Sequence, residues 1–416
     1  MYWERYSQKK INQLINEALN KNYNYKEEAI LGIPGTYLDE LEFYDDAPFL
    51  EHAPFLRTMI ANPNHIGCHT LEKEALGIFA GTQAIEKEVI QICAEEIFQG
   101  EKDQQDGYVA TGGTEANIQA MWIYRNYFQK EYGAKLDEIN LVYSEDSHYS
   151  MPKGGNLLGI KSRVIKVNSD DRSYDMSDLE NQLGEAKREG VKHFIVILNM
   201  STTMFGSVDD IGAIGAYLKR ESFSFKIHLD GAFGGFIYPF TNSDSKMNFK
   251  NDLLSSITVD GHKMLQSPYG TGIFLCRKGL MNYVQTEEAQ YVPGLDSTLC
   301  GSRSGANAVA VWQILHRYGS EGWLAKMKGL WNTSNDLCEL LDEMKIPYTR
   351  NEHLNIITMR SGYFSEELAH KYELVADSYE KGVSWCKIVI MPHVKQRFID
   401  DFLSEVKLDP VYLQTL

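Results

Sequence analysis

The sequence predicts an α/β protein with a mostly parallel sheet covered by helices on both faces, followed by a small C-terminal α+β unit. Three observations carry this. From Asn140 onward, short apolar runs alternate with helical stretches, the signature of strands buried on both faces. Polar and titratable residues fall just after those runs, at the carboxyl ends of strands where ligands of such sheets collect. After Arg303 the alternation gives way to long helices and two isolated strand-like runs. At 416 residues the chain can bury a large core and form more than one lobe.

In chain order, residues 4–26 are polar with Ile11, Leu14, Ile15 and Leu19 at helical spacing, predicting an amphipathic N-terminal helix or arm. Residues 30–70 are rich in Pro, Gly, Asp and aromatics and read as extended loop. Its end carries His65, Cys68 and His69, but no second ligand cluster follows, so no metal site is expected. Ile85 to Phe98 places Ile85, Val89, Ile92, Cys93 and Ile97 on one helical side. Tyr108 to Trp122 then runs strand, Gly-rich turn, helix. Strands are predicted at 141–143, 162–167, 194–198 and 225–229, with helices at 176–189 and 211–220. Ser256 to Asp260 and Ile273 to Cys276 are two further strands joined by a polar connection. Helices over 306–318 and 323–344, strands at 355–359 and 387–391, and a helix over 395–406 complete the reading. The boundaries expected are 1–75 for the N-terminal arm, 76–305 for the large domain and 306–416 for the small one.

The chemistry centres on Lys263. A lysine at the end of a buried strand loses hydration, which favours the neutral, nucleophilic amine. Upstream, Phe225 to Leu229 ends on Asp230, and Gly231 and Ala232 then leave room for a flat ring. An acid and an amine on successive strands fit pyridoxal phosphate: the lysine forms the Schiff base, and the acid keeps the pyridine nitrogen protonated. Thr111-Gly-Gly-Thr114 opens a helix, where free N–H groups, close backbone approach at Gly and a threonine hydroxyl make a phosphate cradle.

Composition narrows the classes. A net charge of −16 argues against a polyanion-binding surface, so nucleic acid is not an expected partner. No apolar run of about 18 residues exists to span a bilayer, and the N-terminus has no signal pattern, so a soluble protein is expected. The six cysteines are scattered without a CxxC pair, as in a reducing cytoplasm.

Ordered motifs from about residue 65 onward resemble the group II pyridoxal-phosphate-dependent amino-acid decarboxylases, a branch of the fold-type-I enzymes. They are Thr111-Gly-Gly-Thr-Glu-Ala-Asn117, Ser147-His-Tyr-Ser150, Ser201 to Ile211, His228-Leu-Asp-Gly-Ala232, Gly261-His-Lys263, Thr298 to Arg303 and Met391-Pro-His393. The Gly261-His-Lys-Met264 and Gly301-Ser-Arg303 segments look most like those of bacterial histidine decarboxylases. The resemblance implies a seven-stranded sheet and a set of roles. Lys263 would carry the cofactor, Asp230 would face the ring nitrogen, and His148 would cover the ring opposite Ala232. Gly113, Thr114 and His262 would hold the phosphate, with Thr203 at the ring's edge. Tyr291 would protonate the carbanion. Thr298 would reach the partner subunit's phosphate, implying a homodimer with active sites at its interface. Asp260 departs from the pattern, since a carboxylate there repels phosphate unless it turns away or a neighbour neutralises it. Phe233 shapes the pocket beside Ala232, and Cys300 stands where relatives often carry a hydroxyl.

The expected activity is α-decarboxylation of an L-amino acid to an amine and carbon dioxide, with histidine the leading substrate. Aromatic or acidic amino acids, a carbon–carbon lyase acting on a phosphorylated amino alcohol, and an aldehyde-forming relative remain alternatives.

Overall fold

The computed structural model describes residues 80–286, 295–378 and 382–416, together with Lys9, Ala29, Leu31 and Gly32. The N-terminal helix, the 62–70 loop with His65, Cys68 and His69, and Tyr291 lie outside the described residues.

The large unit begins with α1 (Ala80–Gln91), which continues as a π-helical turn through Ile97. It is followed by β1 (Gln105–Ala110), α2 (Gly113–Tyr132), β2 (Ile139–Ser144), α3 (Ser150–Leu158) and β3 (Lys161–Ile165). Next come α4 (Met176–Arg188), β4 (His193–Asn199), α5 (Ile211–Arg220), β5 (Ser224–Asp230), β6 (Leu254–Asp260) and β7 (Gly272–Arg277). The seven strands form one sheet in the order β1-β7-β6-β5-β4-β2-β3. β7 runs antiparallel to both β1 and β6, while β6, β5, β4, β2 and β3 pair in parallel, so a single strand is reversed. The mostly parallel seven-stranded sheet is as expected.

Burial explains the strands. β2, β4 and β6 are buried at every position, and each side of the sheet has its own core. Val196, Leu198, Leu229 and Val259 pack towards α4 and α5, whereas Ile195, Ile197 and Phe274 pack with Ala120, Ile123 and Tyr124 of α2. Asp175 and Asp210 cap α4 and α5 through their first free N–H groups. Gly133, at a φ of 62°, ends α2 in the left-handed conformation that glycine tolerates.

α3 was not predicted; it runs through Pro152, Gly154 and Gly155, which are poor helix formers. Here the glycines serve contact: a Cβ on Gly154 would lie 2.4 Å from the Met121 sulfur of α2. The two C-terminal helices expected are one run, α6 (Gly305–Glu343), broken at Gly319, where φ is 61° and ψ 176°. Beyond it, β8 (Tyr348–Thr349), β9 (Ile356–Arg360), α7 (Glu366–Lys371), β10 (Val375–Ala376) and β11 (Trp385–Val389) build a small sheet in the order β10-β11-β9-β8, flanked by α8 (Gln396–Leu408). Its neighbouring strands are all antiparallel.

Candidate active site

A cavity of about 330 Å³ opens at the carboxyl ends of the parallel strands, and the predicted residues Gly113, Thr114, His148, Thr203, Asp230, Ala232, His262 and Lys263 all line it. β1 delivers the Gly-rich turn. Gly112 has a φ of 154°, and a Cβ on Gly113 would stand 2.9 Å from Asp260 Oδ2 and 3.2 Å from the Ala232 methyl. Both positions therefore demand glycine. Glu115, in the first turn of α2, is drawn off by the Tyr108 hydroxyl and the Thr111 N–H, at 2.9 and 2.7 Å, leaving the N-terminal end of α2 to an anion.

β5 ends on Asp230, whose two oxygens both accept: Oδ1 from the Ala232 N–H at 3.1 Å and Oδ2 from Asn117 Nδ2 at 3.0 Å. β6 ends on Asp260, and the short connection places its Oδ2 3.3 Å from Lys263 Nζ and 3.5 Å from His262 Nε2. Asp260 is thus neutralised by its neighbours rather than turned away. Burial raises its pKa, with Lys263 and His262 pulling the other way. Its Oδ1 is buried without a hydrogen-bond partner. Lys263 is less buried than expected: its side chain is 30% exposed, open to the cavity. Burial lowers the pKa of His262, whose ring stacks on Tyr269 at 4.8 Å.

After β2, His148 points its Nδ1 at the Ser150 hydroxyl, 2.9 Å away, and at the Ser150 N–H, 3.2 Å away. Its pKa is lowered, first by burial. Phe233 is buried and lines the same cavity, as anticipated. Thr298 is not brought in: its hydroxyl donates to Asp296 Oδ1 and accepts from Arg303, at 2.9 and 3.2 Å. Cys300 is exposed nearby in the chain.

Three neighbours escaped the sequence reading. Asn117 and Asn199 line the cavity from α2 and the end of β4, with Asn199 Nδ2 held by Asp209 Oδ2 at 2.8 Å. Lys387 of β11 reaches the Thr203 carbonyl at 2.6 Å; burial, then the charge of Lys263, pushes its pKa down to about 8. The available signal was a lysine inside an apolar run, the same one that marked Lys263.

These residues fit pyridoxal phosphate. The helix end with its two glycines suits the phosphate, the doubly accepting Asp230 suits a protonated ring nitrogen, and the amine of Lys263 opens onto the same space. The unpartnered Asp260 Oδ1 and the equally buried, unpartnered Ser201 hydroxyl mark polar ends of a cavity shaped for a polar guest. Among the described residues no group of three or more His, Cys, Asp or Glu side chains could hold a metal ion.

Comparison with known proteins agrees. The pyridoxal-dependent decarboxylase conserved domain matches residues 58–354. A tryptophan decarboxylase of Clostridium sporogenes is 48% identical over 98% of this chain and 97% of its own. A histidine decarboxylase of Vibrio campbellii is 30% identical over 79% of this chain and 81% of its own. The crystal structure of L-methionine decarboxylase from Streptomyces sp. 590 superposes with a TM-score of 0.77, covering 98% of this chain and 95% of that one at 19% identity, a likeness of fold.

Proposed function

Because this chain belongs to the pyridoxal-dependent decarboxylases, carboxy-lyases that act on amino acids with pyridoxal phosphate, we propose that its own substrate is an aromatic L-amino acid, tryptophan foremost. The observation that carries this is the 48% identity, along almost the whole of both chains, to a tryptophan decarboxylase. Histidine, favoured by the motifs alone, draws support from relatives at 30% identity. Loss of carbon dioxide, rather than carbon–carbon cleavage of an amino alcohol, is the reaction that membership supports.

When bound, the cofactor supplies an electron-poor ring that accepts the electron pair left by the departing carboxylate. The residues divide the remaining work. Lys263 would hold the cofactor through its amine. Asp230 would hold the proton on the ring nitrogen. Gly113, Thr114 and His262 would bind the phosphate, with Asp260 balanced by Lys263. His148 and Ala232 would hold the ring between them, and His148 would orient the substrate carboxylate. Thr203 would border the ring, and its carbonyl accepts a hydrogen bond from the buried Lys387 side chain. Tyr291 would return a proton to the substrate carbon. Thr298, ordered by Arg303 outside this subunit's cavity, would serve the partner's site, which makes the working form a homodimer.

Carbon dioxide release across a panel of the twenty amino acids tests the substrate. Tryptophan should give the highest kcat/KM, with histidine at least about tenfold lower. A higher value for histidine overturns the assignment.

A further inference from the structure

Buried beneath the cavity floor is a hydrogen-bonded chain that the catalytic roles do not use. Asn117 Nδ2 donates to Asp230 Oδ2 and to Ser150 Oγ, both at 3.0 Å. Asn117 Oδ1 lies 2.9 Å from His228 Nε2, His228 Nδ1 lies 2.6 Å from Ser256 Oγ, and Ser256 meets the Tyr124 hydroxyl. Asn117, His228 and Ser256 are each at most 1% exposed.

The direction of every bond follows from one end. Asp230 only accepts here, so the amide must present its NH₂ to it, and its oxygen must face His228. His228 Nε2 therefore carries the proton and donates to Asn117, with the Thr258 hydroxyl oxygen a second acceptor 3.1 Å away; Nδ1 accepts from Ser256, and Ser256 accepts from Tyr124. On the other branch, Ser150 receives a hydrogen from Asn117 and gives its own to His148 Nδ1, alongside its backbone N–H. With Nδ1 occupied by two donors, the remaining proton of a neutral His148 sits on Nε2. Flipping the Asn117 amide would set its oxygen against the Asp230 carboxylate, two acceptors face to face.

We infer that Asn117 is a positioning residue that joins Asp230 and His148 into one hydrogen-bonded unit, so that the acid for the ring nitrogen and the imidazole for the ring face are set together. This rests on the assignment of those two residues to the cofactor's site. Asn117 lines the cavity, but its amide is spent on Asp230, Ser150 and His228, so it acts through these partners.

The test uses the cofactor-loaded protein without substrate, reading the rate of cofactor loss on dialysis and the pH midpoint of its visible absorbance. Asn117→Ala should speed cofactor loss at least about tenfold, the worth of a hydrogen bond to a charged group, and shift the midpoint. Asn117→Ser, which keeps a small polar group in the core, should shift both readouts the same way, and it stands in if the alanine variant does not fold. Ser150→Ala, which cuts only the His148 branch, should shift the pH profile of kcat/KM while leaving cofactor loss within about twofold. The double variant Asn117→Ala with Ser150→Ala should move that profile no further than Asn117→Ala alone. Unchanged loss and midpoint in Asn117→Ser, or additive shifts in the double variant, overturn the inference alone. Wild-type protein that takes up no cofactor overturns the functional reading with it.

Discussion

Lys263 Nζ lies 3.3 Å from Oδ2 of Asp260, three residues earlier in the chain, and this pair puts a carboxylate beside the turn that suits a phosphate. Asp260 touches the space above Gly113 and is 2% exposed, so its charge is felt at short range with little screening.

Asp260→Asn should therefore tighten cofactor binding. Repulsion of the phosphate falls once the carboxylate becomes an amide. A fall of about tenfold in the half-saturating cofactor concentration, read by absorbance titration, is the expected result. Weaker binding would mean that Asp260 aids the phosphate.

Lys263→Ala should abolish both turnover and the lysine-linked visible absorbance while leaving the circular dichroism spectrum intact, since its side chain is partly open to the cavity and holds no core together. Survival of that absorbance with full activity would remove Lys263 from its role.

His228 and Asp209 should give opposite pH dependences of stability. Burial pushes His228 from 6.5 down to about 4, so between those values the unfolded chain binds more protons and stability rises with pH. Burial pushes Asp209 from 3.8 up to about 7, so there the folded chain binds more protons and stability falls as pH rises. In wild type the two partly cancel. Relative to it, His228→Gln should gain about 3 kcal/mol at pH 4 over its standing at pH 6.5, and Asp209→Asn should gain about 4 kcal/mol at pH 7 over its standing at pH 4. Urea unfolding across this range reads both signs.

Glu86 and Arg303 form a buried ion pair at 2.9 Å, with side chains 0% and 2% exposed, and Glu86 also accepts from the Val109 N–H at 2.7 Å. Glu86→Gln should cost about 3–5 kcal/mol, because it strands a buried guanidinium. The same guanidinium holds the Thr298 hydroxyl, so if the chain works as the proposed homodimer the variant should also weaken subunit association, measured by sedimentation.

Much of this site was legible because strand ends announce themselves. Asp230 closes an apolar run, Lys263 lies in the polar turn just past the next one, and Gly112-Gly113 precede a helix, so their convergence followed from the α/β pattern. Lys387 gave the same local signal and was passed over, since its partner, the Thr203 carbonyl, is 184 residues away. Asn117 looks like any polar residue in a helix until the facing β5 and α3 are placed. The reversal of β7 was equally hidden, because β1 and β7 are far apart in sequence and no short hairpin marks the pairing.

That reversed strand decides how the reactive amine is tethered. The segment leaving β6 returns at once as β7, and its neck is stitched shut by Gly261 N–H to the Thr271 carbonyl at 2.7 Å and Ser267 N–H to the Gly261 carbonyl at 3.0 Å. At the point of return, Gly272 presses so tightly on Gly112 that a Cβ would come within 2.6 Å of its Cα. The nucleophile thus rides on a sealed ring clamped to its own anion seat, and nothing short of parting β1 from β7 can pull one from the other.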